Sequence, residues 1–347
     1  APKYIDGFGT GSLHVVYNEL LDEFLVTMQR EISHVHTGII QRCNTVAAQR
    51  ISESGGTSAI VELTDFGLNG LDSHAIAYAP VGGTTPFGGR YLFVAGRGTP
   101  SMKLLDSQLY LVTYVPAKWG TPDGSARDHD IAYGEVEGQG LFLVVFSDSD
   151  NCEPPLSSCT LLQDQWTGVW GTYVNPAVIS YPTPPGNKSF PISYVWSHTM
   201  TGLWPIHGPR VSYGNDAQGF FIVWREVPSI DPQNDEIRSH IRGAFVDYFL
   251  DFPTTAYVPD NVIISDITGP ICTTGEYCLS GQDPEFPSVA AMSGSVAAVV
   301  WQQKYPPNPT DFDIMGDLYN AIPAGLVTNP SNNHLYKAIS CTSWQDC

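Results

Sequence analysis

The chain has 347 residues, 42% apolar and 12% aromatic but only 15% charged, a composition that excludes a disordered polymer and supplies a sizeable core. Sixteen basic against thirty-five acidic residues leave a net charge of −19. That balance repels phosphate backbones and anionic lipid, which are bound through Lys and Arg, so nucleic acid and acidic membranes are disfavoured as partners.

From the N-terminus, Ala1 to Ser12 carries Tyr4, Ile5 and Phe8 among glycines and is expected to be an arm ahead of the first repeat, with residues 13–347 as one domain. A start at Ala-Pro-Lys without Met suits a mature exported protein whose signal has been removed. A short motif then recurs: Leu13-His-Val-Val-Tyr17, His74-Ala-Ile-Ala-Tyr78, His129-Asp-Ile-Ala-Tyr133, Pro209-Arg-Val-Ser-Tyr213 and Pro287-Ser-Val-Ala-Ala291. Its third position is always Val or Ile, as a half-buried strand requires. After a turn of variable length each copy is followed by a more apolar run: Phe24 to Met28, Tyr91 to Ala95, Phe142 to Phe146, Phe221 to Trp224 and Ala298 to Trp301. These pairs read as two neighbouring strands.

Third strands are expected at Gly38-Ile-Ile40, Leu109 to Thr113, Gly168-Val-Trp170, Gly243-Ala-Phe245 and Gly316 to Tyr319. Fourth strands are expected at Ser58 to Leu63, Pro191 to Trp196, Asn261 to Ser265 and His334 to Ile339. Glu19 to Val35 shows helical spacing at Leu21, Leu25 and Met28, yet Glu19 to Glu23 occupies the place of turn-rich segments in the sibling repeats, so a turn and a strand are expected there.

Segments rich in Pro, Asn, Asp, Ser or Cys punctuate the repeats and are expected to be surface loops: Cys152 to Trp166, Tyr181 to Phe190, Val227 to Glu236, Pro270 to Pro284 and Tyr305 to Asp311. Six of seven cysteines fall into close pairs, Cys152 with Cys159, Cys272 with Cys278 and Cys341 with Cys347. Their spacing does not suit a zinc knuckle and no His pair accompanies them, so local disulfides formed on export are expected, although spacing does not fix connectivity. Cys43 is left as a small buried residue or an intersubunit link. Asn187-Lys-Ser189 is an N-glycosylation acceptor in a Pro-rich stretch.

Five repeats of a four-stranded unit point to an all-β fold, a β-propeller of about five blades. Six or seven are allowed if a divergent unit lies between Cys152 and His207. Radial closure leaves only short strand edges, which an open stack of sheets does not. The pairing of an x-Val-Ala-Tyr strand with a Tyr-Leu-Val-Val-Trp strand resembles the repeats of secreted bacterial and algal surface propellers. That resemblance covers nearly the whole chain and implies a propeller fold and an extracellular setting, but no activity.

Candidate chemistry is sparse. Two carboxylates facing each other across a sugar would cleave a glycoside, and the densest cluster is Asp128-His129-Asp130 at the entry to an inner strand. Asp148 with Asp150 and Asp311 with Asp313 are loop-end pairs without EF-hand spacing. His74 and His129 occupy equivalent positions, whereas His14 falls one residue later and is expected to point away from them, so no metal is expected in a channel. Trp119, Trp166, Trp170, Trp204 and Tyr305 are candidates for stacking on sugars. No nucleophile elbow, zinc helix, phosphate loop or dinucleotide fingerprint occurs, and no cofactor is expected. The leading expectation is an extracellular structural or adhesive glycoprotein that self-associates or packs with surface carbohydrate. The alternative is a carbohydrate-active enzyme, hydrolase or lyase, working through Asp128, His129 or Asp130, or else a sugar-binding lectin.

Overall fold

The computed structural model describes residues 9–36, 39–64, 73–80, 89–96, 101–115, 127–136, 138–150, 165–177, 189–197, 206–231, 236–247, 261–265, 283–304 and 312–320. Every regular element among them is a β-strand.

Sheet 1 runs in the order β1 (Gly9–Asn18), β2 (Glu23–His36), β3 (Ile39–Ser52), β4 (Val61–Glu62). Sheet 2 follows as β5 (His74–Ala79), β6 (Arg90–Ala95), β7 (Ser101–Asp106), β8 (Leu111–Val115). Sheet 3 contains β9 (Arg127–Val136), β10 (Gln139–Asp150), β11 (Gln165–Val174) and β12 (Ser189–Ser197). Sheet 4 is β13 (Ile206–Gly214), β14 (Gly219–Asp231), β15 (Glu236–Val246), β16 (Asn261–Ile263). Sheet 5 has three described strands, β17 (Asp283–Ala291), β18 (Val296–Lys304) and β19 (Phe312–Asn320).

All five motifs lie in the first strand of a sheet, and all five apolar runs in the second. Short turns join them in sheets 1, 4 and 5, and in sheets 1, 2, 4 and 5 the two strands pair antiparallel. Glu19 to Asp22 is a turn and β2 begins at Glu23, which disposes of the helix.

The register corrects two alignments. Tyr213 faces Phe220 and Ala291 faces Ala297, one residue earlier than the runs starting at Phe221 and Ala298. In sheet 2 the third strand is β7, and the Leu109 to Thr113 segment instead supplies a turn and the start of the fourth. Lys103 interrupts the apolar pattern of β7 and hides it, although that lysine is buried. Val227 to Asp231, expected as loop, continues β14 and pairs with β15 through Ser229 opposite Arg238. The fourth-strand candidates materialise as β4, β12 and β16, while His334 to Ile339 lies outside the described residues. Gly9 to Ser12 runs within β1, with Gly9 opposite Arg30.

The chain divides into two compact units, residues 1–133, 140–144 and 172–189 in one and 134–139, 145–171 and 190–347 in the other. Within the first, the core joins Leu25, Val46, Ala48 and Leu63 of sheet 1 to Ile76, Tyr78, Tyr91 and Phe93 of sheet 2. Within the second, Phe221, Val223 and Ile241 of sheet 4 meet Ala297, Val299 and Trp301 of sheet 5, with Val289 and Ala291 against them. Each large apolar side chain buried this way contributes roughly 1.5–3 kcal/mol.

Both cores obey one rule. Because side chains alternate along a strand and directly paired residues share a face, each sheet has a motif face, carrying the third and fifth motif positions, and an opposite face. The motif face of sheet 2 packs on the opposite face of sheet 1, where Val16 and Leu25 lie. The motif face of sheet 5 packs likewise on sheet 4. Polar bonds follow the same rule: Asn18 Nδ2 donates to the Tyr91 hydroxyl at 2.8 Å, and the Ala291 N–H donates to Ser212 Oγ at 3.0 Å. Sheet 1 has no described sheet on its own motif face, so Val15 is 56% exposed where Ile76, Ile131 and Val211 are 6–7% exposed.

Candidate active site

Three first strands open on the same backbone irregularity. The residue just before the motif has positive φ in sheets 3, 4 and 5: Asp128 at 51°, Gly208 at 57° and Phe286 at 50°. In sheets 4 and 5 the pairing register slips there, between His207 and Arg210 and between Glu285 and Ser288. These are β-bulges, which re-aim side chains at a strand entry. Glycine takes this conformation freely, whereas Asp128 and Phe286 hold it under strain. The positive φ is therefore architectural, and what distinguishes sheet 3 is the carboxylate placed on it.

His129, next in the chain, is 1% exposed. Its backbone N–H donates to Ser73 Oγ at 3.3 Å, and its ring Nδ1 lies 2.9 Å from the same oxygen. The Ser73 hydroxyl thus holds both the backbone and the ring of His129. Burial lowers the pKa of His129 to about 4 against the upward pull of the Asp128 charge, so the ring is neutral at ordinary pH. Asp128 and Asp130 flank it, both half-buried.

One sheet earlier, His74 is equally buried, and its Nε2 lies 3.1 Å from Thr27 Oγ1 of sheet 1. Its pKa falls to about 3, first through burial and then through the neighbouring His14, while the Thr27 bond opposes the shift. The His14 ring stands edge-on to His74 with centroids 4.8 Å apart. The expectation that His14 points away from His74 is thus corrected. In its own sheet His14 does lie on the opposite face, but that is the face on which the motif face of sheet 2 packs, so the two imidazoles meet.

Histidines 74 and 129 serve the same purpose, hooking the entry of one sheet's first strand onto a hydroxyl that precedes it in the chain. Among the described residues no group of three His, Cys, Asp or Glu side chains is arranged to hold a metal ion.

Other sequence candidates are scattered or undescribed. Asp148 and Asp150 end β10, Asp313 lies in β19 opposite Gln303, and Cys43 lies in β3 opposite Ile32. Trp170 is buried in β11 and is no sugar platform, and Trp166 lies near the start of that strand. Trp119, Trp204, Tyr305, Asp311, Asn187 and the paired cysteines, Cys152, Cys159, Cys272, Cys278, Cys341 and Cys347, lie outside the described residues.

Sequence reading missed Glu226, a 4% exposed carboxylate near the middle of β14, 3.0 Å from Arg242 Nε. Burial raises its pKa, with Arg242 and a bond from Trp224 opposing. The only signal was the charged Arg225-Glu226 pair closing an apolar run.

No family model matches this chain, and no curated protein matches it. Among solved structures, it is similar to a xylan β-1,4-xylosidase from Bacillus halodurans C-125 at 11% identity and a TM-score of 0.39 over 90% of this chain, which spans 53% of that one. An endo-arabinase from Bacteroides thetaiotaomicron VPI-5482 aligns at 10% identity and a TM-score of 0.40, over 91% of this chain and 98% of its own. The α-L-arabinofuranosidase of Fusarium graminearum crystallised with arabinobiose aligns at 11% identity and a TM-score of 0.41, covering 88% of each chain. At these scores no residue of theirs is matched to one here. Enzymes acting on carbohydrate stand where a structural or adhesive protein was expected, and the reading of a non-enzymatic, self-associating glycoprotein is corrected on that finding. The missing catalytic signature had favoured it.

Proposed function

We propose that the chain is a carbohydrate-active enzyme, a glycoside hydrolase or polysaccharide lyase, acting outside the cell through Asp128, His129 and Asp130 in a β-propeller of about five blades. Five sheets sharing one motif in the first strand, and one face-packing rule seen in two cores, support the propeller.

The observation that carries the chemistry is a pair of half-buried carboxylates on either side of an imidazole held neutral by burial. Two residues of chain separate the backbones of Asp128 and Asp130 by no more than about 7 Å. Paired acids across a glycosidic bond stand roughly 5–9.5 Å apart, a span that two side chains on backbones this close can reach. Asp128 has the same positive φ that accompanies β-bulges in sheets 4 and 5. In hydrolysis one carboxyl protonates the leaving oxygen and the other activates water or attacks the anomeric carbon. In a lyase one of them removes the proton beside a uronate carboxyl. His129, clamped by Ser73, positions the segment and adds no competing positive charge.

Turnover on a panel of neutral and acidic polysaccharides tests this. Asp130→Asn and Asp128→Asn should each reduce kcat by roughly 10²–10⁴-fold with the fold retained. Full activity in both variants removes the assignment, and binding without turnover on every polymer makes the protein a lectin.

A further inference from the structure

Sheets 4 and 5 enter their first strands by the same device. Between His207 and Arg210, which pair with Arg225 and Val223, the two residues Gly208 and Pro209 stand against Trp224 alone. Between Glu285 and Ser288, which pair with Gln302 and Val300, Phe286 and Pro287 stand against Trp301 alone. Each is a bulge of two residues opposite one. In both, the proline and the tryptophan are buried, so the second bulge residue and its partner fill the core.

The first bulge residue is spare. Gly208, at φ 57°, shows that the bend needs no side chain there, and a Cβ added to it would meet nothing within 4 Å, so the bulge opens there onto space. Phe286 occupies the same position in sheet 5, at φ 50° and 72% exposed. A bulky residue holds this conformation at a cost, the more so ahead of a proline, and the exposed ring gains little burial in return. A lone exposed phenylalanine needs no explanation, but one kept in a strained conformation that glycine would relieve does. Sheet 3 sets Asp128 at the corresponding place, also with positive φ.

We propose that Phe286 is a sugar-stacking residue, presented at the entry of sheet 5 to hold one unit of a neutral polysaccharide. A phenyl ring has no hydrogen-bonding group, so what it offers is a flat apolar face, which suits the C–H face of a single sugar ring. The net charge of −19 opposes uronate and sulfated polymers and selects a neutral one. This subsite rests on the carbohydrate reading but does not use Asp128 or Asp130: it holds polymer, and they cleave it.

Pull-down on insoluble cellulose, mannan and arabinan, with calcium alginate as the acidic control, tests the subsite. The wild-type chain should bind at least one neutral polymer and not alginate. Phe286→Gly should bind that polymer roughly tenfold more weakly while unfolding at no lower urea concentration, and Phe286→Tyr should keep the affinity. Asp130→Asn should bind like wild type while losing turnover, which separates failure of the subsite from failure of the catalytic assignment. Undiminished binding by Phe286→Gly, a Phe286→Gly chain less stable than wild type, equal binding to alginate, or no binding to any neutral polymer overturns the proposal. Turnover in that last case leaves the enzyme reading intact.

Discussion

Acidification should destabilise this protein through His74 and His129 before its ordinary carboxylates titrate. In the folded chain burial holds their pKa values at about 3 and about 4, whereas in the unfolded chain both return to about 6.5. Between those limits the unfolded state binds more protons, so the stabilisation is complete above the unfolded value and is lost as pH falls toward the folded ones. From about pH 7.5 to about pH 5, linkage gives a loss of about 2 kcal/mol for each histidine and about 4 kcal/mol for the pair. Glu23 and Glu226, whose pKa values burial raises, take up protons earlier when folded and offset part of this. Urea unfolding at both pH values and fixed ionic strength measures the difference. The His74→Gln, His129→Gln variant starts less stable, having lost two interstrand hooks, but should show little of the pH-dependent loss. If it loses as much stability on acidification as the wild type, these imidazoles are not the buried neutral groups described.

Gly89 has φ 103°, and a Cβ there would fall against the Tyr78 hydroxyl and ring, so Gly89→Ala should cost about 2–4 kcal/mol, read as a lower midpoint in urea. An unchanged midpoint would deny the close approach. Phe286 is 72% exposed at φ 50°, where sheet 4 has Gly208, so Phe286→Gly should raise stability by up to about 1 kcal/mol. Asp128→Gly relieves the same strain while deleting one of the two carboxylates proposed to be catalytic, so on that proposal it should lose turnover without losing stability. A variant that loses both would mean that Asp128 serves the fold.

Strand order was largely legible because the motif repeats: five copies with Val or Ile at the third position, each followed by an apolar run, leave little freedom about which segments pair. Errors arose where one residue masked the pattern. Lys103 sits in the middle of β7 and reads as surface, yet its ammonium finds the Leu63 carbonyl and its stem fills space between strands. Asp106 and Gln108 advertise the turn, but the left-handed Leu109 carries no sequence signal, since leucine is a poor choice for that conformation. Val227-Pro-Ser-Ile230 looked like loop because of its proline, although β14 continues through it past a register shift. The Asp128-His129-Asp130 cluster was visible as a string of letters. Its strain and the serine clamp were not, because Ser73 is 56 residues away and reaches His129 only when sheets pack.

The His14 error shows why register alone misjudges a site built between sheets. Alternation correctly puts His14 and His74 on unlike faces of their own sheets, and within a single sheet unlike faces never meet. Between successive sheets the geometry inverts, since the motif face of one lies on the opposite face of the one before. A residue displaced by one position in the motif is therefore carried toward its counterpart in the next sheet. The same inversion explains why identical motif positions range from 6% to 56% exposure: the motif encodes the strand and its pairing, and burial comes from the preceding sheet. Chemistry in such a fold should therefore be sought across pairs of adjacent sheets, matching opposite-face residues of one with motif-face residues of the next. That pairing brings His129 to Ser73 and His74 to Thr27 and His14, contacts that comparing equivalent positions does not reveal.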